Sequence, residues 1–200
     1  MFVMTVDQRG SVRRGDAVPD LLASLNAEHG EDLLLPFERT AGDEVQALFA
    51  TAATVVTVTV QLVRDGGWSA GIGIGAVQEP YPPSVRAGRG AAFVAARAAV
   101  ESAKAAPYRI RVIGTEPAAE RAETALWLLA GVLAKRSVHG WEAVGTMSDH
   151  QTQRDAADAL GISAQAMSRR LAVAGWVEES RGTALSAYLL DQADVSEEQA

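Results

Sequence analysis

Residues 152–171 carry the pattern that constrains this chain most: two short helical segments joined by a tight turn. Gly161 supplies a residue that is free to take a positive φ at the turn, and Ser163 is placed to cap the second helix. Ile162 lies between them, where an apolar side chain fills the space between the helices. Both segments keep an apolar stripe on one face. The stripe consists of Ala156, Ala157, Leu160, Ala166, Met167 and Leu171.

The opposite face of the second segment is short, polar and basic. Such a face fits the major groove of DNA, and the separation of the two segments is that of a helix-turn-helix. We therefore expect double-stranded DNA as a partner. A helical hairpin that touches no DNA needs the same turn glycine, cap and stripe, so this alternative stays open. The residues predicted to contact DNA are Ser163, Gln165, Ala166, Ser168, Arg169 and Arg170.

The charge of the C-terminal region opposes DNA binding. Between residues 141 and 200, four arginines stand against ten acidic residues. Attraction to phosphate must then come from a local patch rather than from the net field of the region. We expect a modest affinity per subunit, which a homodimer with two reading helices would raise.

The composition describes a soluble protein with room for one full domain and a smaller one. The chain has 200 residues, 48% of them hydrophobic, and a net charge of −7. It has no cysteine, which excludes disulfides and thiolate-bound zinc. No targeting segment or membrane-spanning run is recognisable, so we expect a cytoplasmic protein. Its three histidines are scattered, which argues against a histidine-based metal site.

Apolar periodicity and turn signals predict strands and helices in a mixed order. The predicted strands are 2–6, 33–37, 44–49, 68–77 and 108–113, and the predicted helices are 19–29, 50–64, 90–105, 117–136 and 183–192. The segment 50–64 is ambiguous, because its valines favour a strand whereas its length and alanines favour a helix. Gly42 and Asp43 form the turn of a hairpin.

This order predicts an α+β fold. A ferredoxin-like sheet with packed helices suits it better than a doubly wound parallel sheet, and a small all-α helix-turn-helix domain follows. We expect a sheet domain over residues 1–115, a connecting or dimerisation helix over 116–140 and the helix-turn-helix domain over 141–200. The apolar residues of the connecting helix either contact a second copy or are buried in the core of their own chain. These residues are Leu126, Trp127, Leu129, Ala130 and Leu133.

Two acidic sites in the sheet domain stand out. Asp7 ends the first strand, and Asp43 with Glu44 lies at the hairpin turn. Because the first strand and this hairpin are neighbours in a ferredoxin-like sheet, their carboxylates would converge. With the basic and glycine-containing loop 9–14 beside them, they make a candidate site for Mg²⁺ and phosphate oxygens. Aspartate is also common at strand ends and turns, which is the structural alternative.

At these residues a family resemblance emerges. Residues 1–115 resemble the class III nucleotidyl cyclase catalytic domain, and the whole chain is more closely similar to the SatD-like proteins, which resemble that domain joined to a C-terminal helix-turn-helix. The matching segments occur in the expected order and cover most of residues 1–177. They are VDQRGSVR, ERTAGDEVQALF, GIGIGAV, GRGAAFVAARAAVE and TQRDAADALGISAQAMSRRL.

The resemblance implies roles for individual residues. The two metal-binding aspartates of the cyclases correspond to Asp7 and Asp43, which implies bound Mg²⁺. The purine-recognising lysine is replaced by Arg39, and the acidic position of the base site falls near Arg86. The family's transition-state asparagine and arginine fall on Phe93 and Arg97, so the asparagine is lost. The ligand-binding residues implied are Arg9, Gly10, Ser11, Arg39 and Arg97.

Two functions from different classes follow, with a third kept open. The first is a DNA-binding transcriptional regulator whose degenerate cyclase-like domain senses a nucleotide or another phosphorylated ligand. The second is an active cyclase or related phosphoryl-transfer enzyme with a DNA-binding appendage. The loss of the asparagine donor at Phe93 favours the first, since a missing preorganised donor costs on the order of a hundredfold in rate. In the third, the ligand site is vestigial and the domain serves only for dimerisation.

Overall fold

The computed structural model describes residues 1–10 and 15–198. Over these residues it is an α+β fold with a five-stranded mixed sheet and eight α-helices. None of these helices is both long and apolar enough to cross a membrane. The strands are β1 (Phe2–Gln8), β2 (Leu33–Ala41), β3 (Glu44–Phe49), β4 (Trp68–Ile74) and β5 (Ile110–Ile113). The helices are α1 (Val18–His29), α2 (Ala52–Asp65), α3 (Ala91–Ala103), α4 (Ala118–Leu133), α5 (Val138–Ser148), α6 (Gln153–Ala159), α7 (Ala164–Val173) and α8 (Trp176–Glu198).

Strand β1 lies at the centre of the sheet, whose order is β2-β3-β1-β4-β5. It is antiparallel to both β3 and β4, and β2 pairs antiparallel with β3 across the Gly42–Asp43 turn. Strand β5 runs parallel to β4. Because β1 is buried along nearly its whole length, both of its faces must be covered by other elements.

Helices cover both faces of the sheet. Helices α1, α2, α4 and α8 pack on the face that carries Met4 and Val6, and together they form the main core. Helix α3 covers the opposite face, where Val3 is buried with Ala92 and Ala96. Each large apolar side chain buried in this way contributes about 1.5–3 kcal/mol to the stability of the fold.

Two glycines in β4 bring α3 very close to the sheet. A Cβ at Gly71 would lie 2.1 Å from the backbone nitrogen of Val100, and a Cβ at Gly73 would lie 2.2 Å from the carbonyl oxygen of Ala92. The backbones of helix and strand are therefore in direct contact. Any side chain at either position would force them apart, because a packed interior has no room to absorb it.

Helices α5, α6 and α7 form a small cluster of their own around Ala143, Met167 and Leu171. Gly161, between α6 and α7, has a φ of +64°, as the predicted turn requires. The hydroxyl oxygen of Ser163 accepts a hydrogen bond from the backbone N–H of Ala166 at 3.1 Å, so the predicted cap is also present.

Helix α8 belongs to both parts of the molecule. Near its start, Trp176 packs against the small cluster of α5, α6 and α7. Further along, Leu190 and Ala193 are fully buried in the main core. The last helix therefore returns to the sheet, although the boundaries that we expect from the sequence place it with the helix-turn-helix.

A buried arginine fixes the junction between the two parts. The Arg136 guanidinium donates through Nε to the carbonyl of Ala174 at 2.8 Å, and its Nη2 lies 3.0 Å from the Glu179 carboxylate. It also stacks over the Trp141 ring, 4.4 Å from the ring centroid. Because a buried charge is costly without such partners, these contacts hold α4, α5 and α8 in one arrangement.

The structure confirms a helix over the ambiguous segment 50–64, where α2 buries its valines against the sheet. It differs from the sequence prediction at several places. Strand β2 continues to Ala41 instead of ending at residue 37, and β5 begins at Ile110 instead of residue 108, because Tyr108 and Arg109 have positive φ. The strand predicted to reach residue 77 ends at Ile74, before Gly75 takes a φ of +154°. The helix predicted over 183–192 is part of the longer α8. The sequence pattern does not predict α5, because its only fully buried residues are Gly140 and Ala143.

The connecting helix, α4, is part of the main core. Four of the apolar residues predicted either to contact a second copy or to be buried within the chain are buried in that core. They are Leu126, Leu129, Ala130 and Leu133. Leu128, on the other side of the helix, is 69% exposed. The structure therefore favours the reading of α4 as a buried core helix.

Replacing Gly73 by alanine tests the close approach of α3 to the sheet. The added methyl group has no room, so we expect a loss of about 1–3 kcal/mol in the free energy of unfolding, measured by urea denaturation. The matched control is Gly145→Ala on α5, where a Cβ meets nothing within 4 Å. The control should keep or slightly raise stability, because alanine favours a helix over glycine by about 1 kcal/mol. Equal stability of Gly73→Ala and wild type would contradict the contact.

Candidate functional site

The outer face of α7 presents most of the residues predicted to contact DNA. Ser163, Gln165, Ser168 and Arg169 are exposed, whereas Ala166 is partly buried. Within residues 1–10 and 15–198, the Arg169 side chain has no ion pair or hydrogen bond. A free guanidinium on an exposed helix face is available for phosphate or for the edge of a base.

Arg170 differs from the expectation of an outward, free side chain. It is only partly exposed, and its Nη1 lies 3.1 Å from the Glu142 carboxylate. The reason is that α5, a helix that the sequence pattern does not predict, places Glu142 beside α7. This acidic partner reduces the positive field that Arg170 adds to the face.

The second candidate site lies at the end of β1, where Asp7 and Asp43 come together. Asp7 is opposite Glu44 in the β1–β3 register, and the backbone N–H of Gln8 donates to the carbonyl of Asp43 at 3.1 Å. The hairpin thus brings Asp43 to the end of β1, near enough for its charge to raise the pKa of Asp7.

A lysine lies against this pair. Lys104 follows α3, and its Nζ is 3.4 Å from the Asp7 carboxylate and 2.9 Å from the Glu101 carboxylate. Partial burial raises the pKa of Asp7, the ammonium of Lys104 lowers it in part, and the neighbouring charge of Asp43 raises it again. The hydrogen bond with Glu101 is the main reason that the pKa of Lys104 is raised. Asp7 is therefore less easily ionised here than in water.

The arrangement is a carboxylate held by an ammonium group. Over the part of the chain that the structure describes, no group of three or more acidic or histidine side chains is placed to hold a metal ion. Glu44 accepts a hydrogen bond from the hydroxyl of Thr40 at 2.6 Å. With Lys104 on Asp7, the two aspartates alone offer a poor set of oxygen ligands for Mg²⁺. Metal binding at Asp7 and Asp43 stays a prediction.

The loop after β1 contains the next predicted ligand residues. The Arg9 guanidinium donates to the carbonyl of Gly66 at 3.2 Å, and Gly10 has a φ of +65°. Arg9 also lines a cavity of about 360 Å³ with Trp68 and other side chains. Ser11 lies outside the described residues.

Arg39 is held by its own neighbourhood. Its Nη1 lies 2.8 Å from the Asp16 carboxylate, and its Nε donates to the carbonyl of Gly42. The hydrogen bond from Arg39 is the main reason that the pKa of Asp16 is lowered. Both side chains are well exposed, so this ion pair contributes little to stability.

Arg97 lies in a different place from Arg9 and Arg39. It lines an open groove of about 640 Å³ beside α3, and Arg86 lines the same groove. Phe93, at the position of the family's asparagine, packs its ring against Gly88, where a Cβ would lie only 2.1 Å from the ring. The polar lining consists of Gln46, Arg86, Arg89, Arg97 and Glu101. The predicted ligand residues therefore form two groups: Arg9, Gly10 and Arg39 lie near the ends of β1 and the hairpin, whereas Arg97 lines the groove beside α3.

Comparisons with protein-family models, curated proteins and solved structures found no match to this chain. We therefore infer its function from the geometry and charge of the two candidate sites.

Sequence reasoning missed Lys104, Arg89 and Glu142. Lys104 is one of two lysines in the chain and lies seven residues after Arg97, which places both on one side of a helix that continues that far. This spacing is a signal that could have found it. The role of Glu142 had no such signal, because it depends on how α5 packs against α7.

The pKa of Asp7 tests the carboxylate site. Burial should keep it above the ordinary value of an aspartate, Lys104→Met should raise it further, and Asp43→Asn should lower it. Because the folded pKa lies above the unfolded one, ionised Asp7 costs stability, and stability from this group falls as pH rises from the unfolded to the folded pKa. Carboxyl chemical shifts followed by NMR measure all three values. If the pKa of Asp7 were the same in both variants as in the wild type, the side chains of Asp7, Lys104 and Asp43 would not lie close together.

Proposed function

We propose that this chain is a DNA-binding transcriptional regulator, with a sheet domain related to the class III nucleotidyl cyclases as in the SatD-like proteins. The observation that carries the proposal is the exposed face of α7, with Gln165, Ser168 and Arg169 outward on a helix that follows a tight glycine turn. Helices placed in this way can enter the major groove with their N-terminal residues toward the bases.

The connectivity of the sheet supports the cyclase-like part of the proposal. Strands β1 to β4 and helices α1 and α2 follow the order β-α-β-β-α-β, and the four strands lie in the order β2-β3-β1-β4. Both helices pack on the same face. This order supports the proposal, because a ferredoxin-like, split βαβ arrangement of the kind that the resemblance implies would have the same connectivity.

Control of DNA binding would require two states that a ligand distinguishes. The regulator acts as a homodimer in this proposal, with two α7 helices about 34 Å apart to read successive turns of DNA. A ligand on the sheet domain changes DNA affinity only if it binds the two dimer arrangements with different affinity. Helix α8 is a physical connection for such coupling, since it packs against both parts of the molecule.

Arg169→Ala tests DNA reading. On a duplex recovered by selection from a random pool, we expect an affinity loss of about 1–3 kcal/mol, because a base contact is removed, and a smaller loss on random duplex. Arg170→Ala should lower both affinities by similar and smaller amounts, because Glu142 already neutralises that arginine. Fluorescence anisotropy at a fixed salt concentration measures each value.

Arg121→Ala, an exposed arginine on α4, is the matched control for a lost positive charge. It should leave both affinities unchanged. Equal losses for Arg169→Ala and Arg170→Ala on both duplexes would refute the assignment of the reading face, and no binding of the wild type to any selected duplex would refute the function.

The second candidate function is an active cyclase or phosphoryl-transfer enzyme. The pairing of Asp7 with Asp43 favours it, whereas Phe93 and the Lys104 contact oppose it. We expect no pyrophosphate release from ATP or GTP above background with Mg²⁺ or Mn²⁺, because the donor at position 93 is missing. If the wild type released pyrophosphate, and Asp43→Ala abolished this activity whereas Arg121→Ala preserved it, the enzyme would be the better interpretation.

A further inference from the structure

We propose that the groove beside α3 binds a phosphorylated small molecule through Arg86, Arg89 and Arg97, without a metal ion. The proposal deepens the ligand-sensing part of the proposed function and rests on it for its regulatory meaning. Arg97 and the position near Arg86 are also implied by the resemblance, but in this proposal the phosphates bind to arginine side chains and not to a metal ion held by Asp7 and Asp43.

The first argument is charge. The chain has 18 basic and 25 acidic residues, yet three arginines line this one groove. One carboxylate, that of Glu101, is also in the lining, but it already lies 2.9 Å from Lys104 Nζ. The three guanidinium groups therefore keep a net positive field in a concave surface of an acidic protein, and such a surface concentrates anions.

The second argument is that these arginines are unpaired. Elsewhere Arg39, Arg111, Arg136 and Arg170 each have an acidic partner within 3.1 Å. In the described part of the chain, the side chains of the three groove arginines form no ion pair and no hydrogen bond. Like charges held in one groove repel each other, so an anion that binds there relieves the repulsion and supplies acceptors for their forked donors.

The third argument is size and shape. The groove, at about 640 Å³, falls within the range of small-molecule sites and is far too small for a duplex. It also contains an apolar portion, with Phe93 partly buried and Val94 72% exposed. Three positive charges beside an apolar surface match the chemistry of a nucleoside di- or triphosphate. Its phosphates would bind to the arginines, and its base would pack against Phe93.

Isothermal titration calorimetry of the full chain in EDTA at low salt, with ATP, GTP and pyrophosphate as probes, tests the proposal. We expect heat of binding from the wild type, an affinity about tenfold or more lower for Arg97→Gln, and severalfold lower for Arg86→Gln and Arg89→Gln. Arg121→Gln, the matched control, should stay within about twofold of the wild type. Circular dichroism verifies folding of each variant, which exposed arginines should not disturb.

Two further measurements separate the possible ligands and failures. Phe93→Leu should weaken ATP but not pyrophosphate if a base lies on the ring. Arg169→Ala should weaken binding to the selected duplex while leaving the heat of ATP binding unchanged, so that loss of one function is distinguishable from loss of the other. No heat with any probe would overturn the proposal and favour a vestigial site. Binding that needs Mg²⁺, is lost in Asp43→Asn and survives Arg97→Gln would overturn it as well, and would place the ligand at the carboxylates.

Discussion

The direct contact between α3 and β4 is the constraint on which the sheet domain depends. Because Gly71 and Gly73 have no Cβ, the backbone of α3 lies directly against β4. This short distance between helix and strand determines which groups the other side chains of α3 can contact. Lys104, just beyond the helix, arrives at Asp7, while Arg97 remains on the open side of the helix, in the groove. A helix held further out by a side chain would separate the ammonium from the carboxylate and change the groove. The glycine strand therefore places both charged sites at once.

The two parts of the molecule are joined by more than a linker. Helix α8 starts in the small helical cluster and ends in the main core, and Arg136 ties α4 to the same junction through Ala174 and Glu179. Rotation of α7 relative to the sheet would have to break buried contacts, which resist small continuous shifts and favour discrete arrangements. The junction therefore suits a two-state response better than a loosely tethered DNA-binding unit would.

Local chemistry could be predicted from the sequence, and packing across the chain could not. The turn at Gly161, the cap at Ser163 and the helical state of 50–64 depend on neighbouring residues, so their patterns were sufficient. The proximity of Asp7 and Asp43 also followed from the order of strands. The contact of Lys104 with Asp7, and the pairing of Glu142 with Arg170, join residues 97 and 28 positions apart and depend on helix packing. Arg86 and Arg89, which precede α3, likewise come close to Arg97 only because their segment and α3 line the same groove.

The partition of the arginines argues for separate DNA and ligand sites. A single site for both would need one continuous basic surface, but the free guanidinium of Arg169 lies on α7 and the groove arginines lie on or beside α3, on another part of the fold. Arg39, Arg111 and Arg170 have acidic partners, which reduce the positive field that they contribute, whereas Arg169 and the groove arginines have none in the described part of the chain. Two distinct sites connected through α8, which packs against both parts of the molecule, are the minimum that the proposed coupling between ligand and DNA requires. The same separation makes single substitutions informative, because sites this far apart on the fold lose their own ligand without directly removing a contact to the other.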